Sequence, residues 1–88
     1  MVIWELAFSR QALKDARKVK AAGLKPKVEE LLEILRHDPY RNPPTFQKLV
    51  GDLAGACSRR SNIHNRLVYK VFPDQRVVRV LRMWTHYE

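Results

Sequence analysis

With 88 residues, a hydrophobic share of 45% and one cysteine, the chain is a single small domain, too apolar for intrinsic disorder and unable to form an intrachain disulfide or a several-thiolate metal site. Its 17 Lys and Arg against 9 Asp and Glu leave a net charge of +8, which points towards polyanions. No apolar run approaches the ~20 residues of a membrane span, and none reads as a signal peptide, so a soluble, cytoplasmic protein without membrane contact is expected.

Val2 to Phe8 alternates and predicts a strand, with Val2, Trp4 and Leu6 on one face and Ile3, Glu5 and Ala7 on the other. Ser9 is a good helix N-cap. From Arg10 to about Ala22, Leu13, Ala16, Val19 and Ala22 recur at helical spacing, and Gly23 stops the helix. Lys25-Pro26 opens a second helix with the stripe Val28, Leu31, Leu32 and Leu35, ending near His37. A short connection makes the two a helical hairpin. The first helix is basic enough to suggest a membrane surface, but the strand before it and the helix after it favour packing on a sheet.

Residues 38–45 hold Pro39, Pro43 and Pro44 and read as a stiff loop. Residues 46–50 read as a short strand or turn, and 51–55 as a turn region. Strands are predicted at about 56–63, 66–72 and 76–84, with Pro73-Asp74-Gln75 as the last turn. The order β-α-α-β-β-β predicts an α+β fold: a two-helix hairpin packed on a mainly antiparallel sheet, one domain over 1–88. Cys57 falls in a strand as a small buried or half-buried hydrophobe.

A three-residue turn would pair Phe72 with Arg76 and Arg66 with Arg82. One face would then carry Arg66, Val68, Lys70, Arg82, Trp84 and His86. The other would set Leu67, Tyr69, Val71, Val77, Leu81 and Met83 against the helices. A two-residue turn would reverse the faces. Charge follows the same division: residues 1–40 are net +2 and residues 41–88 net +6.

Cleaving RNA needs a base for the 2′-hydroxyl, an acid for the leaving 5′-oxygen, and a cation for the phosphate. Arg60 and Arg66 suit the last task, since a guanidinium binds phosphate through two parallel hydrogen bonds. His86 suits proton transfer. Arg59 stands beside Arg60, and Tyr69, Trp84 and Tyr87 offer rings for base stacking. His37, His64 and His86 lack metal-ligand spacing, and no metal or cofactor is called for. On these residues alone, three readings stand open. They are RNA cleavage, RNA binding without chemistry, and a solvated cationic surface whose aromatic residues belong to the core or an interface.

Ser58-Arg59-Arg60, Asn65-Arg66-Leu67-Val68-Tyr69 and Met83-Trp84-Thr85-His86-Tyr87, with Phe46 to Gly55, resemble the YoeB/Txe toxins of the RelE superfamily. The resemblance is close over 38–88 and one of pattern over 1–37. It implies a microbial-RNase-like fold and a metal-independent, ribosome-dependent endoribonuclease that cuts mRNA in the ribosomal A site. It also implies neutralisation by a YefM/Axe-type antitoxin, with a toxin pair in some complexes. By position, Arg66 would stabilise the phosphate, Arg60 would be a second active-site arginine, His86 the proton donor, and Tyr87 its terminal neighbour. Gln47 stands where such toxins carry a general-base Glu; Asn65 and Ser61 stand where they carry His and an apolar residue. Lys48, beside Gln47, is a phosphate-binding candidate. The exchanges imply attenuated catalysis, with His64 as a conceivable substitute base. The rival reading is a non-catalytic RNA- or antitoxin-binding module.

Overall fold

The computed structural model describes residues 4–42, 45–49, 55–61 and 65–84. Strand β1 (Glu5–Phe8) leads into helices α1 (Arg10–Ala21) and α2 (Lys25–His37). Four strands follow: β2 (Phe46–Lys48), β3 (Ala56–Arg60), β4 (Arg66–Phe72) and β5 (Val77–Arg82). The sheet order is β1-β5-β4-β3-β2, with β1 parallel to β5 and the other pairs antiparallel. The expected hairpin-on-sheet architecture is present, with Phe46–Lys48 adding a fourth strand after the helices. The expectations for Val2 and Ile3, and for 50–54 and 62–64, lie outside the described residues.

The helix ends follow local chemistry. The Ser9 hydroxyl accepts from the Ala12 N–H at 3.0 Å and donates to the Leu81 carbonyl at 2.8 Å. One side chain therefore caps α1 and ties it to β5. At the other end Gly23 sits at φ 75°, and the Gly23 and Leu24 N–H groups donate to Lys20 and Val19 carbonyls. This paired closure needs a left-handed residue, which glycine supplies without strain.

The core joins Ala12 and Val19 of α1, Val28, Leu31 and Leu35 of α2, Leu67 and Tyr69 of β4, Val78 and Val80 of β5, and Met83. Transfer of the three α2 side chains from water contributes roughly 5–9 kcal/mol before entropy is counted.

Two details depart from the sequence pattern. In α1, Leu13 is 58% exposed, and the buried positions are Ala12, Asp15 and Val19. The helix is rolled so that a carboxylate, and not Leu13, enters the interior. In the β4–β5 hairpin the turn spans four residues, 73–76, and Phe72 pairs with Val77. Arg76 adopts φ 56°, a left-handed conformation costing a non-glycine residue about 1–2 kcal/mol. Its guanidinium lies 5.7 Å from the centroid of the Trp4 ring, a cation–π contact that offsets part of that cost. The longer turn shifts the register by one, so Val78 and Val80 fill the core in place of Val77 and Leu81. A bulge between Val68 and Tyr69 then sets Val68 opposite Arg82, and Arg66 does not pair with Arg82 as the shorter turn required.

Candidate active site

The hairpin of β3 and β4 is closed by Ser61 and Asn65. Both the Ser61 N–H and the Ser61 hydroxyl donate to the Asn65 carbonyl, at 3.0 and 3.1 Å. These two polar residues are buried, so they have a structural task at the turn. Just inside them Arg60 and Arg66 are direct cross-strand partners. Like charges in that position repel, and an anion between them relieves the repulsion.

Strand alternation sends Ser58, Arg60 and Arg66 to one face, and the register of β2 adds Gln47 beside Ser58. Arg66 Nη1 donates to Gln47 Oε1 at 2.7 Å and reaches Ser58 Oγ at 3.4 Å. Both partners are neutral, so the positive charge of Arg66 is not cancelled by them. Thr45, Gln47, Ser58, Arg60 and Arg66 line an open cleft of about 360 Å³. No carboxylate or imidazole stands among these lining residues. The cleft can grip a phosphate, while the carboxamide of Gln47 cannot take a proton at neutral pH.

Alternation also explains what keeps Gln47 in place. Phe46 and Lys48 point to the opposite face, where the Phe46 ring lies 4.9 Å from the Arg59 guanidinium. Arg59 is 0% exposed. Its Nε donates to the Tyr69 hydroxyl and its Nη2 to the Pro39 carbonyl, each at 3.0 Å. Arg59 was expected on the RNA surface and is instead an internal strut tying the loop after α2 to the sheet. Tyr69, also 0% exposed, has no ring face available for a base. Burial pushes its hydroxyl up to about 12, against the pull of the Arg59 charge and hydrogen bond. Lys48 is exposed but on the face away from Gln47, so it does not line the cleft. Cys57 is half-buried; burial pushes its thiol up, and Lys48 and Arg59 draw it down.

Arg82 does not join the cationic face either. Its Nε donates to Asp15 Oδ2 at 2.8 Å, and its Nη2 donates to the Trp84 carbonyl at 3.0 Å. Trp84 is partly buried against the core cluster, not presented as a stacking platform. Asp15 itself is 0% exposed. Besides Arg82 it accepts from Gln11 Nε2 at 3.0 Å and from the Met83 and Trp84 N–H groups at 3.1 and 3.3 Å. Burial pushes this carboxyl up, but the four hydrogen bonds together hold it below the ordinary carboxylate value of 3.8. Sequence reasoning passed over Asp15; its one signal is a carboxylate placed between Ala12 and Val19 on the stripe that faces inward. His64, His86 and Tyr87 lie outside the described residues. Among the described residues no group of three or more His, Cys, Asp or Glu gathers, and no helix is long and apolar enough to cross a membrane.

No family model matches the chain. A curated relative, Toxin YoeB of Streptomyces coelicolor, is 36% identical over 52 residues, 59% of this chain and 62% of that protein. The matched part thus spans less than two thirds of that relative. A YoeB/ParE toxin from Agrobacterium tumefaciens superposes with a TM-score of 0.83 at 25% identity, over 94% of this chain and 99% of the other. The toxin of a heterotetrameric YoeB–YefM toxin–antitoxin complex from Staphylococcus aureus superposes with a TM-score of 0.77 at 29% identity, covering 96% and 98%. The fold is therefore that of the RelE superfamily of toxins. Within that class the chain belongs to the YoeB family.

Proposed function

We propose that this protein is a ribosome-dependent endoribonuclease toxin that cuts mRNA in the A site and so inhibits translation, acting without a metal in the cytoplasm. The observation that carries the reading is the cleft in which Arg60 and Arg66 oppose each other beside Gln47. Arg66 holds the scissile phosphate and stabilises its developing charge; Arg60 grips the same or an adjacent phosphate. His86 protonates the leaving oxygen, with Tyr87 beside it. Gln47 occupies the place of the base, and without a carboxylate there the chain works slowly. An acidic antitoxin of the YefM type covers the cationic face, and the heterotetrameric YoeB–YefM relative supports a toxin pair within that complex.

Arg66→Ala tests the assignment. Loss of mRNA cleavage with ribosome binding retained supports catalysis. Equal loss of both supports the second reading, a non-catalytic RNA-binding module, which is favoured by one observation: the absence of a titratable base among the described cleft residues.

A further inference from the structure

We propose that Asp15 is a positioning residue for the C-terminal His86, acting as a clasp on the chain where it leaves the sheet. The inference rests on the reading of His86 as proton donor. Four donors converge on one buried carboxylate, and three of them belong to consecutive residues, Arg82, Met83 and Trp84, immediately after the ladder of β5. The fourth, Gln11, comes from one helical turn earlier in α1 and orients the carboxylate itself. Arg82 adds a return tie to the Trp84 carbonyl. The exit point of the chain is thus fixed from both its N–H and its C=O side.

A core position in α1 would ordinarily be apolar, and Leu13 two places earlier is left outside while Asp15 goes in. Burying a carboxylate is expensive unless it is fully hydrogen-bonded, so its presence selects a particular geometry at 82–84. Capture of two successive backbone N–H groups fixes chain direction, which a hydrophobic plug would leave free. His86 is two residues beyond Trp84, so its Cα lies within about 7 Å of the clasped residue. A proton donor on so short a tether inherits its placement from the clasp. Misplacement by about 1 Å costs catalysis up to ~10²-fold.

The test is a double-variant cycle with Asp15→Asn and His86→Ala in the Gln47→Glu background, using single-turnover cleavage on programmed ribosomes. Asp15→Asn alone should slow cleavage by about 10- to 100-fold without changing the half-saturating ribosome concentration. Combined with His86→Ala it should add no further loss. A combined loss equal to the product of the two single losses overturns the proposal and makes Asp15 merely structural. If Asp15→Asn does not fold by circular dichroism, Arg82→Gln replaces it, with a smaller loss and the same non-additivity expected. Imidazole resonances provide an arm independent of cleavage. The His86 ring signals should move in either variant while those of His37, on α2, stay. Unmoved His86 signals overturn the proposal. A blank ribosome assay from the Gln47→Glu parent would instead defeat the nuclease reading, and the clasp would then be judged by the His86 signals.

Discussion

Arg59 and Arg60 are neighbours in sequence with opposite environments, and replacing each by alanine separates two kinds of cost. Arg59→Ala removes a fully buried guanidinium, leaving the Tyr69 hydroxyl and the Pro39 carbonyl without their 3.0 Å donors and the Phe46 ring without its cation. Hydrogen bonds to a charged group are worth about 1.5–3 kcal/mol each. The two together, with the packing lost around the side chain, put the destabilisation at about 3–5 kcal/mol, a large part of the ~5–15 kcal/mol that holds a small domain folded. Arg60→Ala removes an exposed charge facing Arg66 across the ladder. Its effect on stability should stay within about 0.5 kcal/mol, with a stabilising sign if relief of like-charge repulsion dominates. Ribosome binding should behave the other way, falling in Arg60→Ala and surviving in whatever fraction of Arg59→Ala remains folded. Urea titration followed by circular dichroism measures the first quantity and ribosome co-sedimentation the second. A loss below about 1 kcal/mol for Arg59→Ala would refute the strut and return Arg59 to the surface.

Other outcomes follow from the same geometry. Raised to about 12, the Tyr69 hydroxyl should ionise last of the three tyrosines in an absorbance titration. Its contribution to stability is complete below the ordinary value of 10.0 and is lost as pH rises through about 12; a titration of all three near 10 would contradict its burial. Asp15 has the opposite sign. Its contribution is complete above the ordinary value of 3.8 and is lost as pH falls through the lower folded value, so acid unfolding of Asp15→Asn should be flatter with pH in that window. An identical pH slope in the two proteins would show that the carboxyl does not titrate with folding. Ser9→Ala should cost about 1–2 kcal/mol in thermal or urea melts, because one hydroxyl serves both the α1 cap and the Leu81 carbonyl; a loss of a few tenths would mean that the link to β5 contributes nothing.

The helices were legible because their ends are marked by short-range chemistry: Ser9 before α1, Gly23 after it, and Pro26 in the first turn of α2. The β4–β5 register was not, since it depends on Arg76 accepting a left-handed conformation and on a bulge at Val68/Tyr69, neither of which has a local signature. Arg59 and Asp15 were misjudged or overlooked for a common reason. Each is a charged residue whose burial is decided by partners distant in sequence, such as Pro39 for Arg59 and residues 82–84 for Asp15. Arg60 and Arg66 could be placed near each other from the strand pattern alone. Gln47 entered through the resemblance, and the 2.7 Å hydrogen bond joins it to Arg66 across 19 positions of sequence.

That hydrogen bond also suits a carboxylate, because Glu in place of Gln47 would present an oxygen to Arg66 at the same point. The most direct test is primer extension on mRNA in a reconstituted translation reaction, comparing the chain as it stands with Gln47→Glu. The account predicts A-site cuts that intensify by roughly 10²–10⁴-fold in the variant, the span expected of a restored general base. A folded Gln47→Glu protein that binds ribosomes and still leaves the message uncut would contradict it.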